Sequence, residues 1–159
     1  MHDEFITVPL TQGEVAFISP EDAHLLQYSW HVCTKRRYAC RNLPRGNKPR
    51  VSYMHREIMQ PPDGMDVDHI NRTELDNRRC NLRVATRGQN NSNGKLRSDN
   101  PSGFRGVGWA SKYSMWRVRV KINGKEKHVG YFTDPEDAAR AYDEAAIEAY
   151  GGFANLNFP

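Results

Sequence analysis

The sequence predicts an α+β chain: a small mixed N-terminal region, then a three-stranded antiparallel sheet packed on one helix. Three observations carry this. Residues 1–60 alternate short apolar runs with turn signals. Residues 61–97 are polar and rich in Asn and Arg, with two short apolar runs, Met65 to Ile70 and Leu82 to Ala85. Residues 104–159 hold three strand-like runs followed by one run of helical period.

The elements follow in order. Phe5 to Leu10 and Glu14 to Ile18 flank a Thr11-Gln12-Gly13 turn and read as a hairpin. Ser19, followed by Pro20-Glu21-Asp22, reads as a capped helix start reaching about Leu26. Tyr28 to Cys33, Tyr38 to Asn42 and Val51 to Tyr53 read as short strands, and His55 to Met59 as a helix stopped by Pro61-Pro62. A short helix is expected from about Thr86. Residues 94–103 have a linker's composition, which sets the expected boundary between 61–93 and 104–159. Beyond it, Phe104 to Trp109, Met115 to Ile122 and Lys125 to Phe132 are the strands, the last two joined through Asn123-Gly124. Thr133 or Asp134 caps the helix, with Ala138, Ala141, Tyr142, Ala145 and Ala149 on its apolar face and Gly151-Gly152 ending it.

The chain has 159 residues, 38 % of them hydrophobic, enough for one ordinary domain or two small ones. The net charge of +4 is modest, but its distribution is uneven. Lys35, Arg36, Arg37, Arg41, Arg45, Lys48 and Arg50 form a run without acids. A second basic stretch, Arg105 to Lys127, precedes an acidic one, Asp134 to Glu148. Such stretches fit a face for a polyanion, or an ordinary solvated surface. Cys33, Cys40 and Cys80 show no CxxC spacing, so neither a zinc knuckle nor a disulfide framework is expected. Cys80 is expected to pack inside. No apolar run reaches the ~20 residues of a membrane span, so the reading is intracellular.

The most informative stretch is VDHINRTELDNRRCNLRVATRGQNNSN, residues 67–93. Phosphodiester hydrolysis needs a base for water, a cation at the phosphate and a stabilised leaving oxygen. His69 has the proton affinity of such a base. Asp68 and Asn90 offer hard oxygens suited to Mg²⁺ (or Mn²⁺). A lone Asp-His pair is more often structural; the surrounding pattern decides here. YMHREIM, PDGMDVDHIN and LDNRRCNLRVATRGQN resemble the HNH endonucleases, in their homing-endonuclease branch, over about residues 50–93.

That resemblance implies a ββα-metal finger in 61–93, supported by an α+β region in 1–60. It makes His69 the general base and Asp68 a metal-binding acid. It makes Asn81 the middle Asn that braces the loop and orients the histidine, and Asn90 the second metal ligand. Asn77 is the weaker candidate for the middle position, and Asn91 and Asn93 are alternatives to Asn90. Arg78 and Arg79, in the loop, are candidates for DNA phosphates. His55-Arg56 reads equally as site support and as packing.

In the C-terminal part, alternation puts Trp116, Val118, Val120 and Ile122 on one face of a strand and Arg117, Arg119 and Lys121 on the other. The cationic face fits the DNA major groove or a solvated surface equally well. The run from SGFRGVGW through GYF and AARAYDEAA to NFP resembles the plant ethylene-response-factor (Apetala-two) DNA-binding domain over about 102–159. The resemblance makes Arg105 and Lys121 groove contacts, with Arg117 and Arg119 added by alternation. Gly108, Ala110, Glu126 and His128 depart from the plant pattern, so the plant target sequence does not carry over.

The expected function is therefore a site-specific, metal-dependent endonuclease acting on double-stranded DNA, with no protein partner evident in the sequence. The alternative is a DNA-binding regulator whose nuclease part is inactive. Phage or mobile-element origin fits the pairing of the two modules.

Overall fold

The computed structural model describes residues 4–34, 37–44, 51–96, 98–122 and 124–159. They divide into two compact units, Met1–Thr86 and Arg87–Pro159. Both mix small sheets, mostly antiparallel, with a few helices. Among the described residues no helix is long and apolar enough to cross a membrane. Lys35, Arg36, Arg45, Lys48 and Arg50 of the basic run, and Asn123 of the expected hairpin turn, lie outside the described residues.

In the first unit, β1 (Ile6–Pro9) and β2 (Val15–Ile18) form the expected antiparallel hairpin. The next helix, Pro20–Gln27, is 3-10 throughout rather than α. Ser19 does not cap it; its Oγ instead accepts from the Arg79 backbone N–H at 2.9 Å. β3 (His31–Val32), β4 (Ala39–Asn42) and β5 (Val51–Tyr53) make a second antiparallel sheet. The strand expected from Tyr28 is thus cut to two residues. Trp30 fills the core there, its indole N–H donating to the Leu25 carbonyl at 2.9 Å.

Helix α1 (Met54–Met59) ends where Gln60 turns left-handed, φ +43, directly before Pro61. β6 (Asp66–His69) leads into β7 (Asp76–Asn77), and β8 (Leu82–Ala85) pairs antiparallel with β6, His69 opposite Leu82. β7 adds to β2 in parallel. The core gathers Val8, Ala16, Ile18, Leu25, Trp30, Met54, Ile58, Val67 and Leu82. Burying each large side chain contributes roughly 1.5–3 kcal/mol, so this core anchors β6 through Val67 and β8 through Leu82.

The second unit starts with α2 (Arg87–Ser92), ahead of the linker-like 94–103 segment. Composition marks that segment, but hydrogen bonds tie its N-terminal flank to the C-terminal fold. The Ser92 hydroxyl donates to the Phe153 carbonyl at 2.9 Å, and Asn155 Nδ2 donates to the Asn93 carbonyl at 3.4 Å. β9 (Val107–Ala110), β10 (Met115–Ile122) and β11 (Lys125–Phe132) form an antiparallel sheet with β10 in the middle. The first strand starts at Val107, later than expected, because Gly106 turns at φ +73.

Helix α3 (Pro135–Tyr150) covers the sheet. Asp134 caps it by accepting from the N–H groups of Glu136 and Asp137. Its Ala138, Ala139, Tyr142 and Ala146 meet Val107, Val118 and Val120. A Cβ on Gly106 would stand 2.0 Å from the Tyr142 ring. The Asp143 carboxylate is buried and takes N–H groups from Asn157 and Phe158, at 2.8 and 2.9 Å. Asn157 Oδ1 in turn accepts from the Arg105 backbone at 2.7 Å. The RGV opening, the AYDEAA helix and the NFP close thus form one fastening.

Candidate active site

β6 ends on Asp68 and His69, both buried. Alternation sends them to opposite sides of the strand. Asp68 lies opposite Arg83 of β8, whose Nε and Nη2 both approach Oδ2, at 2.9 and 2.8 Å. His69 Nε2 lies 3.3 Å from Asn77 Oδ1 on β7. The Asn77 amide nitrogen donates to the Leu75 carbonyl at 3.2 Å, so its oxygen faces the ring. His69 Nε2 is therefore the donor to Asn77. Burial pulls the His69 proton affinity down, while the Asn77 hydrogen bond and then Glu74, Asp68 and Asp76 oppose this. Neutral imidazole is the form a general base needs.

Asn81 braces the loop. Its Oδ1 accepts from the Asn71 N–H at 2.9 Å and its Nδ2 donates to the Asp76 carbonyl at 2.7 Å. Its own carbonyl accepts from Ile70 at 2.9 Å. Bracing and histidine contact are thus shared between two asparagines, and the Asn77 contact is the part spacing alone did not single out.

Rings enclose His69. Tyr38 stacks on it at 5.7 Å and 13°, and His55 meets it edge-on at 5.2 Å. His55 also packs against Tyr38 at 4.8 Å and Tyr53 at 5.7 Å. Burial, then His69 and Arg56, push the His55 proton affinity down to about 3.

Arg78 forks onto Asp76, with Nε to Oδ1 and Nη2 to Oδ2 both 2.8 Å, and holds that carboxyl below its usual range. Arg79 forks onto the buried Asp22, at 2.9 and 2.8 Å, and also reaches Glu21. Both arginines therefore already serve carboxylates. Cys80 is exposed, not inside; it sits on the 3-10 turn Arg79–Asn81, whose Asn81 is the buried member. Cys33 and Cys40 are free thiols.

Asn90 lies half-buried on α2 in the second unit, with Asn91 exposed and Asn93 buried beside it. Among the described residues no three His, Cys, Asp or Glu converge on a metal position. A single carboxylate with amide oxygens is a hard donor set. It fits an ion that keeps most of its waters, such as Mg²⁺, better than zinc.

On the open face of the C-terminal sheet, Arg117 stands between Gly108 and Tyr131. Arg119 is opposite His128, and Lys121 opposite Glu126. Glu126 pairs with Arg119. Arg105 sits just ahead of β9, its guanidinium donating to the Gly94 carbonyl at 2.7 Å.

Comparison with known proteins gives the class of the central segment: residues 60–92 match the family model described as HNH endonuclease. Protein 3.8 of Escherichia phage T7 is 37 % identical over 65 residues, covering 41 % of this chain and 54 % of its own length. The chain thus spans about half of that relative. Uncharacterized HNH endonuclease L560 of Acanthamoeba polyphaga mimivirus is 29 % identical over 147 residues, 92 % of this chain and 76 % of its own. AP2-like ethylene-responsive transcription factor At2g41710 of Arabidopsis thaliana is 36 % identical over 66 residues, 35 % of this chain and 15 % of its own.

Proposed function

We propose that this chain is a site-specific DNA endonuclease of the homing-endonuclease kind, with His69 as its general base. The observation that carries this is the buried His69 whose Nε2 is held by Asn77. His69 takes a proton from the attacking water, and Asn81 keeps the loop that places it. Asp68 and Asn90 are the residues that would hold Mg²⁺ (or Mn²⁺); when bound, the cation supplies neutralising charge at the phosphate and the 3′ leaving oxygen. Arg105, Arg117, Arg119 and Lys121 hold double-stranded DNA on the second unit, with 61–93 as the nuclease and 104–159 as the binding domain. Arg78 and Arg79 reach phosphate only by exchanging carboxylate partners, so they contribute least. A regulator with an inactive nuclease part is favoured by one observation, the Asp68–Arg83 ion pair.

The test is cleavage of supercoiled plasmid carrying DNA from the source organism, with Mg²⁺, Mn²⁺ or excess EDTA, beside His69→Ala. Metal-dependent nicking that His69→Ala loses, with DNA affinity kept, is the expected result. Binding without cleavage in any metal supports the regulator.

A further inference from the structure

Three side chains from outside residues 60–92, the segment that matches the HNH family model, reach His69 or the ring beside it. Tyr38 comes from the approach to β4, Tyr53 from the end of β5 and His55 from the first turn of α1. His55 is 6 % exposed, and its Nδ1 is buried without a hydrogen-bond partner among the described residues. A buried unpaired nitrogen is costly, so stability alone would favour a hydrocarbon ring at this place. What the imidazole does visibly is touch: one edge against His69, one face against Tyr53, and Tyr38 across its side. Tyr38 also lies flat against His69, within 13° of parallel. Edge-on and stacked contacts at these separations are the preferred geometries of ring pairs, and together they define a plane. Tyr38 and His55 add two ring contacts, one flat and one edge-on, to the hold of Asn77 on His69.

We propose that His55 is a positioning residue that, with Tyr38, fixes the ring plane of His69 by packing. The N-terminal region then does more than carry the nuclease segment: it sets the aim of its base. The proposal rests on the reading of His69 as general base. A base held about 1 Å or some tens of degrees from its attack geometry loses up to about a hundredfold in rate.

The experiment compares full-length wild type, His55→Ala, His55→Phe and Tyr38→Leu. Two readouts are taken: single-turnover cleavage at saturating DNA, and the imidazole NMR signals of His69 at neutral pH. His55→Ala and Tyr38→Leu should each slow cleavage about tenfold to a hundredfold with DNA affinity unchanged. They should also shift or broaden the His69 ring signals. His55→Phe keeps a ring and removes the unpaired nitrogen. It should fold at least as stably as wild type, cleave within about threefold of it, and leave His69 ordered. A folded His55→Phe as slow as His55→Ala would overturn the proposal, because the nitrogen and not the ring would matter. Unchanged His69 signals in both His55→Ala and Tyr38→Leu would overturn it too. If wild type fails to cut, the nuclease reading fails, and the His69 signals still decide whether His55 positions that ring. Should His55→Ala not fold, Tyr38→Leu beside His55→Phe gives the same comparison.

Discussion

The His55 imidazole takes up its proton only near pH 3, held there by burial first and by neighbouring His69 and Arg56 second. His69 is shifted the same way by its own burial. In the unfolded chain both bind protons near pH 6.5. Between about 6.5 and about 3 the unfolded state therefore holds more protons than the folded one. Their contribution to stability is full above that window and is lost as the pH falls through it. The melting temperature should drop steadily as pH is lowered from neutrality, and His55→Phe should flatten the slope. Equal slopes for the two proteins would show that His55 is not a source of the acid sensitivity.

At the scale of elements, periodic runs were legible and short polar ones were not. The strands Met115 to Ile122 and Lys125 to Phe132 and the run Leu82 to Ala85 stand as expected, because apolar alternation or a bounded apolar run marks them. β7 is two residues, Asp76 and Asn77, with no period to read; its pairing with β2 is a tertiary fact. Ser19 shows the same limit: a hydroxyl before Pro20 fits a cap, yet a backbone N–H sixty residues away takes it. In the candidate site, the place of Asp68 and His69 at a strand end and of Asn81 beside the loop was legible from the motif. The Asn77 contact and the four-ring cluster were not, since both depend on elements brought together by folding. In the second unit, Gly106 is demanded by the approach of Tyr142, so Gly106→Ala should destabilise by roughly 2–4 kcal/mol. Urea unfolding would measure this, and a loss below about 0.5 kcal/mol would mean the ring moves aside easily.

Over the whole molecule, charge is organised by sheet face rather than by net balance. The chain carries only +4, but the open face of β10 presents Arg117, Arg119 and Lys121. Glu126 neutralises one of the three by pairing with Arg119. Lys121→Ala should therefore weaken DNA binding and flatten its salt dependence by about one unit of log–log slope. Arg119→Ala should flatten it less, because part of its charge is already matched. If both leave the slope unchanged, DNA lies elsewhere on the chain.

The long tie between Arg79 and the buried Asp22 has a temporal side. On the ribosome the N-terminal hairpin and Asp22 emerge well before the loop that carries Arg79. Until then the carboxylate of Asp22 has no guanidinium to receive it, and Ser19 Oγ has no Arg79 N–H. The loop that ends in Asn81 thus joins residues made earlier, and the setting of His69 is completed only as that late segment arrives. A nascent chain of this protein carries its histidine, with Tyr38 and His55 already made, before Asn77 and Asn81 exist to hold it.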